Sequence, residues 1–422
     1  MSRWLCMTML LLALSPLRAE TIAIIGGIIE TASPAGRIEN GTVLIRDGRI
    51  VAVGRDIAVP SEATRVNAQG RIVTPGLVDP VSTIGLAEVS LEPSSVDTSV
   101  ANDRFGAALD AADAFNPRSM LVPVNRIEGV TRAVVTPAAV AGSVIAGRSA
   151  AVNFIDTEQP VDRRHVAVVA GLGEGGAAQA GGARTAALAQ LREALAEARD
   201  YGRNKRAWEQ GARRNYRLGV FDLEALQPVL RGELPLAVKA ERASDIVALL
   251  ELAAEHEVRL VVVGGAEAWL VADRLAAAGV PVILNPFANL PQRFETLGAT
   301  LENAARLEAA GVEFAFSSPM GGSHNARNLG QGAGVAVANG LPWRTGLEAI
   351  TANPARIWGL ERVGQLQPGF DADVVIWDGD PLEVTSFPDA VYIKGRAVPM
   401  VSRQTLLRDR YLKLLSLGET KP

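Results

Sequence analysis

Lys239 and Glu241 are the pair of side chains best placed for chemistry in this sequence. They lie two residues apart, just after Leu234 to Val238, an apolar run that predicts a buried strand. Residues two apart on a strand point to the same face, so both charges should face one space. An ammonium group beside a carboxylate forms either an ion pair or, where burial shifts the two pKa values, a general acid–base pair.

Histidine is scarce, since the chain contains 3 histidines and they are dispersed. His324 lies in a polar loop after the apolar run Val312 to Phe316, on the side of a parallel α/β fold where strand-end loops carry catalytic groups. His165 begins a predicted strand and is expected to be structural, whereas His256 ends a predicted helix and is expected to be exposed. His324 is therefore the histidine best placed for chemistry, with a hydrogen-bonding loop residue as the alternative.

The elements that must position these residues alternate along the middle of the chain. Strand-like and helical patterns follow one another from Thr131 to Trp358, which is typical of a parallel α/β fold. A β module comes before them, with a hairpin at Asp47-Gly48, and two strand-like runs between Ala372 and Lys394 come after them. The two ends of the chain are therefore expected to build one β-sandwich.

One segment, from about residue 171 to 218, departs from this alternation and is expected to be an insertion. It opens with a Gly/Ala-rich stretch that matches G-x-G-x-x-G at Gly171 to Gly176. A dinucleotide fingerprint needs a helix to start directly at these glycines, but the helical pattern begins only after Gly182. The sequence therefore predicts a flexible loop followed by a helical arm, whose arginines form a solvated surface or contact an anionic ligand.

Composition limits the class of protein. The chain has 422 residues, 48% hydrophobic and 21% charged, which suits a large barrel with an appended domain. A net charge of -4 argues against a general nucleic-acid binder.

The start of the chain, residues 1–19, has the pattern of a signal peptide. Arg3 precedes an apolar run from Leu5 to Leu14, and this run is too short to span a membrane. The expectation is a periplasmic or secreted protein with no membrane span once the signal is removed. The single cysteine, Cys6, falls inside this segment, so the mature chain would have no disulfide and no cysteine-bound metal.

Several stretches together resemble the amidohydrolase superfamily, in its imidazolonepropionase-like branch. Gly70 to Asp79, with its Pro-Gly-apolar-apolar-Asp run, is similar to the entry into that family's barrel. Lys239 to Ile283, Asn339 to Leu360 and Val363 to Asp378 are similar to later parts of the same fold. The resemblance implies a TIM-type (β/α)8 barrel over residues 73–364 and a composite β-sandwich built from residues 20–72 and 365–405.

The resemblance also implies a metal site, for zinc or another divalent ion, at the carboxyl ends of the barrel strands. The family holds its metals with His-x-His on the first strand, histidines on the fifth and sixth, and an aspartate on the eighth. The matching positions here hold Val81 and Thr83, Lys239, Gly264 or Gly265, and Ser318 or Pro319. Neither Val nor Thr replaces an imidazole as a zinc ligand, so no metal cofactor is expected.

The resemblance implies a hydrolase acting on carbon–nitrogen bonds, and these substitutions predict that its catalysis is impaired. Asp79, Glu267, Lys239, Glu241 and His324 remain as groups for metal-free chemistry. The alternative is a non-catalytic relative that binds a small-molecule ligand or pairs with an active, paralogous amidohydrolase subunit. A homo-oligomer is also compatible with the sequence.

Overall fold

The computed structural model describes residues 20–318 and 323–418. These residues form two large sheets, a short two-stranded sheet and the helices that connect them. The predicted signal peptide lies outside the described residues. Among the described helices, none has both the length and the apolar character that crossing a membrane requires.

The first sheet combines strands from both ends of the chain. Its spatial order is Arg396–Ala397, Pro388–Ile393, Val374–Trp377, Ile72–Pro75, Thr21–Glu30, Arg37–Arg46 and Arg49–Gly54, with Thr64–Asn67 beside Thr21–Glu30. The N-terminal and C-terminal strands of this sheet join where Ile72–Pro75 pairs antiparallel with Val374–Trp377. At the predicted hairpin, Asp47 and Gly48 have φ values of 51° and 75°, the positive values that a type I′ turn requires.

The chain passes from the first sheet to the second at Gly76. Strand Ile72–Pro75 is followed after this single residue by Leu77–Ser82 of the second sheet. A Pro-Gly pair commonly marks a turn, but at Pro75-Gly76 the chain crosses between the two sheets instead. A side chain at Gly76 would place its Cβ 2.2 Å from Thr131 Oγ1, so the close approach of the neighbouring strand requires glycine.

The second sheet has eight strands and leads to the functional site. Their spatial order is Leu77–Ser82, Val130–Val135, Ile145–Asn153, Val161–Gly171, Leu236–Ala240, Leu260–Gly264, Val282–Leu284 and Phe314–Phe316. All neighbours are parallel except at Ile145–Asn153, which runs antiparallel to the strands on both its sides. The expected series of eight parallel strands is therefore wrong at this strand.

The two faces of the second sheet bury different side chains. On one face, small and β-branched residues such as Ala237, Val261 and Ile283 pack with Trp358. On the other face, Val238 and Val262 belong to the larger core that the surrounding helices cover. This alternation follows from the two-residue period of a strand, and burial on both faces explains the continuous apolar runs of the sequence.

Thirteen helices are described: Ala111–Ala114, Leu121–Arg126, Gly173–Gln179, Arg184–Glu209, Val220–Ala225, Gln227–Leu230, Ala243–His256, Ala272–Ala278, Asn303–Ala309, Leu329–Ala338, Trp343–Glu348, Ala352–Ile357 and Arg403–Gly418. Short 3-10 turns add Pro93–Ser95, Ala268–Val271, Phe294–Thr296 and Ser323–Asn328, and the short sheet pairs Ser99–Val100 with Ala139–Val140.

The prediction of a flexible loop after Gly171 is wrong in part. Its residues fold into a helix, Gly173–Gln179, before the long arm begins.

Arg132 joins the two sheets through a buried ion cluster. It lies in the strand Val130–Val135, and its guanidinium group bonds the carboxylates of Asp162, Asp371 and Asp373. The side chain of Arg132 is 4% exposed, so each of its charge-assisted bonds forms away from water. The cluster therefore holds Asp371 and Asp373, which precede the strand Val374–Trp377 of the first sheet, against the second sheet.

Candidate functional site

A cavity of about 290 Å³ opens at one edge of the second sheet. Its walls come from strand ends and the residues after them, including Thr83, Gly171, Lys239 and Val263. These are carboxyl ends of parallel strands, the edge at which α/β folds place their ligands. We call this space the strand-end cavity, and Trp358, whose Nε1 donates to Pro80 O at 2.9 Å, lies in its wall.

The strand-end cavity brings together most of the residues that the sequence singles out. Val81, Thr83, Lys239 and Glu241 all line it. His324 does not line it and is exposed in the 3-10 turn Ser323–Asn328, so the structure does not bring this histidine to the other candidates.

Lys239 projects into the cavity from the penultimate position of the strand Leu236–Ala240. Its neighbours in the strand, Val238 and Ala240, are buried, whereas Lys239 itself is exposed. Within the part of the chain that the structure describes, its ammonium group forms no hydrogen bond and no ion pair within 4.0 Å. A cation with no partner at a cavity wall is a group available to a ligand.

Glu241 follows Lys239 by two residues and faces the same cavity, as the strand period predicts. Its Oε2 accepts a hydrogen bond of 3.1 Å from the backbone amide of Ala266. Burial raises the pKa of the Glu241 carboxyl, and the Ala266 amide and the charge of Lys239 only partly oppose this rise. Glu241 is therefore a carboxyl group whose protonated form is favoured more than usual.

Gly264 makes room for the Glu241 carboxylate. A Cβ built at Gly264 would lie 2.6 Å from both carboxylate oxygens, and the backbone there has a φ of 99°. Any side chain at this position would therefore collide with Glu241 and strain the backbone. The observed position of the Glu241 carboxylate therefore depends on glycine at position 264.

A second pair of charges, Arg293 and Glu295, lies in the cavity and was not predicted from the sequence. Both line the cavity, and Glu295 is buried with its Oε1 3.5 Å from Arg293 Nη1. Glu295 also accepts a 2.6 Å hydrogen bond from the backbone amide of Glu174, at the start of the helix Gly173–Gln179. The only signal for these residues is their place in the loop after the strand Val282–Leu284, because loops at this edge carry binding groups.

Two further groups at this edge have structural partners. The amide of Ser318 lies 3.4 Å from Asp79 Oδ1, so this sequence-predicted position sits beside the buried aspartate. Burial raises the pKa of Asp79 to about 7, against smaller opposing contributions from hydrogen bonds with Ser82, Ser318 and Val81. Glu267 accepts hydrogen bonds from the amides of Ala243 (3.0 Å) and Gly298 (2.9 Å), which gives it a role in holding loops.

The other histidines lie away from the cavity wall. His165 lies within the strand Val161–Gly171, with a φ of 54° and its Nε2 2.8 Å from Asp110 Oδ2. His256 is buried, so its expected exposure is wrong. Leu252 and Ala253 of the same helix are buried beside it, because the end of this helix faces the core.

The donor set of the strand-end cavity does not fit a catalytic divalent metal. Zinc-like ions are held by three or four His, Cys, Asp or Glu side chains. Among residues 20–318 and 323–418, no group of three or more such side chains is close enough to hold an ion. The cavity instead presents Val81, Thr83 and the cation of Lys239 at the predicted ligand positions.

Parts of the chain are similar to known amidohydrolases. The model of the amidohydrolase family matches residues 237–399. An amidohydrolase, tasK of Hapsidospora irregularis, is 27% identical over 395 residues, which cover 85% of this chain and 40% of that relative. The chain thus spans well under half the length of that relative. An imidazolonepropionase of Geobacillus kaustophilus is 47% identical, but only over 58 residues, 12% of this chain and 14% of that protein.

Solved structures of hydrolases share the fold of the chain. An amidohydrolase of Thermotoga maritima is 26% identical, with a TM-score of 0.81 over 90% of this chain and 99% of that one. Molinate hydrolase, 18% identical with a TM-score of 0.55, shares the fold over 90% of this chain and 95% of its own. These neighbours imply an α/β fold of the TIM-barrel type with a β-sandwich domain. Residues 237–399 thus match the amidohydrolase family, and the fold over 90% of the chain is similar to that of an amidohydrolase of known structure.

Proposed function

We propose that this protein is a ligand-binding member of the amidohydrolase family that works without the family's metal centre, and that its hydrolysis of carbon–nitrogen bonds is impaired. The observation that carries the proposal is Lys239, a cation without a partner among the described residues, in the wall of the strand-end cavity. The family resemblance implies a histidine ligand at this position.

The electrostatics of Lys239 oppose a metal ion. At an effective dielectric constant of about 20, an ammonium group repels a divalent cation about 5 Å away by roughly 6 kcal/mol. A structural zinc site offsets such costs with a full donor set, whose binding free energy is on the order of 10 kcal/mol or more. No such set occurs among the described residues, so the repulsion is not offset.

A metal-free hydrolase is a second candidate, and the chemistry of Glu241 favours it. Burial raises the pKa of this carboxyl, which is the direction that suits a general acid, and Lys239 lies on the same wall. In this case water would attack the carbonyl carbon while Lys239 stabilises the negative charge on the carbonyl oxygen. Glu241 would donate a proton to the leaving nitrogen as the carbon–nitrogen bond breaks, and would regain a proton from the attacking water. Hydrolysis that is abolished by Glu241→Gln and unaffected by chelators would support this candidate.

We also propose where the protein acts and with what. The signal-like start of the chain supports export to the periplasm or outside the cell. A partner role beside a paralogous, metal-containing amidohydrolase subunit, or a homo-oligomer, is compatible with a cavity that lacks a metal donor set. Size-exclusion chromatography with light scattering of the mature protein measures the homo-oligomer directly.

The test of the proposed function uses the purified mature protein. Its metal content and its activity on dipeptides, acyl-amino acids and cyclic amides are measured on the same preparation. The proposal expects sub-stoichiometric zinc, iron and manganese together with little or no hydrolysis. Metal-dependent hydrolysis by protein carrying a stoichiometric metal would overturn it.

A further inference from the structure

Lys239 and Glu241 carry opposite charges on one cavity wall, yet they do not pair with each other. Both side chains line the cavity, and no nitrogen–oxygen distance between them falls within 4.0 Å. Opposite charges two residues apart on a strand would gain from direct contact if nothing else occupied the space between them. The two groups are instead held apart, each facing the same cavity.

Each of the two groups has hydrogen-bonding capacity that the described residues leave unused. The Lys239 ammonium has three donors and no acceptor among those residues. Glu241 accepts one bond, from Ala266 to Oε2, and Oε1 accepts none from the part of the chain that is described. A ligand with an anionic group and a cationic group would therefore satisfy both.

Glu295, the acid of the second pair of charges in the cavity, already has several partners within the protein. Arg293 Nη1 lies 3.5 Å from Glu295 Oε1, and Glu295 Oε2 accepts the amide of Glu174 at 2.6 Å. Arg184 adds a third contact at 3.6 Å to the same carboxylate oxygen. Glu295 is thus held by the start of the helix Gly173–Gln179, which leaves Glu241 as the cavity carboxylate with an unused acceptor.

The rest of the wall is apolar and the space is small. Ala170, Ala237, Val263 and Trp358 line the cavity beside the two charges. A volume of about 290 Å³ is at the lower end of the range of small-molecule sites, which begins near about 300 Å³. These dimensions suit a compact ligand with one apolar side chain.

We propose that the strand-end cavity binds an aliphatic α-amino acid as a zwitterion. The ligand's carboxylate accepts hydrogen bonds from Lys239, its ammonium group donates to Glu241, and its side chain packs on Ala237 and Val263. This inference rests on the ligand-binding function proposed above and names the class of that ligand. Ligands that carry only one of the two charges should bind more weakly, because one of the two side chains then gains no charge-assisted bond.

Calorimetric titration of the full mature chain tests the proposal with matched ligands. The probes are alanine, valine and leucine, then N-acetyl-leucine, which lacks the cation, and leucinamide, which lacks the carboxylate. We expect leucine to bind at least about 10-fold more tightly than either derivative, since each derivative loses a charge-assisted bond.

Variants assign each charge to its partner. Lys239→Met should weaken the binding of leucine and N-acetyl-leucine by about 10- to 100-fold and leave the affinity for leucinamide unchanged. Glu241→Gln should weaken the binding of leucine and leucinamide and leave the affinity for N-acetyl-leucine unchanged. Lys239→Arg keeps the charge and should retain leucine binding within a few-fold. Thermal unfolding of each variant shows whether it folds, and Lys239→Arg keeps the test valid if Lys239→Met does not.

Two outcomes would overturn the proposal. One is that alanine, valine and leucine all fail to bind the folded protein, and the other is that both substitutions weaken all the ligands equally. Metal content is measured on the same samples to separate this inference from the proposed function. A stoichiometric metal contradicts the proposed function, whereas a metal-free protein that binds no amino acid contradicts only the zwitterion.

Discussion

Asp79 should make the protein lose stability as the pH rises, and Asp79→Asn should remove that loss. The Asp79 carboxyl is fully buried and its pKa is raised to about 7, with burial as the leading cause. In the unfolded chain an aspartate has a pKa near about 3.9. The folded state therefore holds this proton more tightly, and the advantage is complete below pH 4 and lost as the pH rises through 7.

The size of the effect follows from the two pKa values. A difference of about 3 units corresponds to about 4 kcal/mol at a pH well above 7, and about 1.5 kcal/mol of that loss is already present at about pH 5. The free energy of unfolding of the wild-type protein should therefore fall by about 2.5 kcal/mol between about pH 5 and pH 8 because of this group alone. Asparagine does not titrate, so the variant lacks this contribution.

The assay is urea unfolding of both proteins at about pH 5, 6.5 and 8, followed by tryptophan fluorescence. Asp79 Oδ2 has no hydrogen-bond partner among the described residues, so an amide placed there loses no such bond. Because asparagine does not titrate, any fixed cost of the substitution is the same at every pH. The readout is thus the change in the difference between the two proteins, which should favour the variant by about 2.5 kcal/mol more at about pH 8 than at pH 5. Exposed Asp103 provides the control Asp103→Asn, which should track the wild type. Parallel pH profiles for Asp79→Asn and the wild type would refute the reasoning.

Three further variants test other parts of the structure. Gly264→Ala should lower the free energy of unfolding by about 1–3 kcal/mol, because its Cβ would lie 2.6 Å from the Glu241 carboxylate. Adding Glu241→Ala should restore part of that stability in thermal unfolding, and simple additivity of the two substitutions would contradict the contact. Arg132→Met should cost about 3 kcal/mol in urea unfolding, because the buried Asp373 carboxylate loses its cation, whereas Asp162 and Asp371 keep Lys394 and Arg49. The exposed control Arg408→Met should stay within about 0.5 kcal/mol, and equal effects would reject the cluster as a stabilising element. Burial lowers the pKa of His256, so the folded state binds fewer protons than the unfolded state and stability should fall as the pH drops below about 6.5. His256→Leu should abolish this fall in urea unfolding at acid pH. A variant whose acid profile matches the wild type would contradict this assignment.

Much of the second sheet could be predicted because its strands are buried on both faces. The strand Phe314–Phe316 lies inside the predicted run Val312 to Phe316, and the strand Leu236–Ala240 overlaps the predicted run Leu234 to Val238. Ile145–Asn153 was not predicted, because its Ala- and Gly-containing sequence has no clear period. Its direction is set by antiparallel pairing with strands on both sides, which local sequence does not encode.

The helix Gly173–Gln179 shows how tertiary contacts override local preference. Its glycine content favours a loop, but the buried Glu295 carboxylate bonds the amide of Glu174 and anchors the helix start. Gly176 also lies so close to the strand end that a Cβ there would be 2.2 Å from Gly171 O. Neither contact is visible from the segment's own sequence.

The candidate site was predicted in part. Strand periodicity placed Lys239 and Glu241 on one wall, and both line the cavity. It did not reveal Arg293 and Glu295, which arrive from a long loop with no local pattern. It favoured His324 because that residue follows a strand, but loop position alone does not determine direction, and the structure leaves His324 exposed and away from the cavity wall.

The central claim is that the strand-end cavity works without a metal, with Lys239 in its wall. Its most direct test is elemental analysis of the mature protein, expressed in medium supplemented with zinc, iron and manganese and purified without chelators. We predict that each metal stays well below one equivalent per chain, because the described residues offer no donor set and Lys239 repels a cation. A stoichiometric metal that survives gel filtration would contradict the claim.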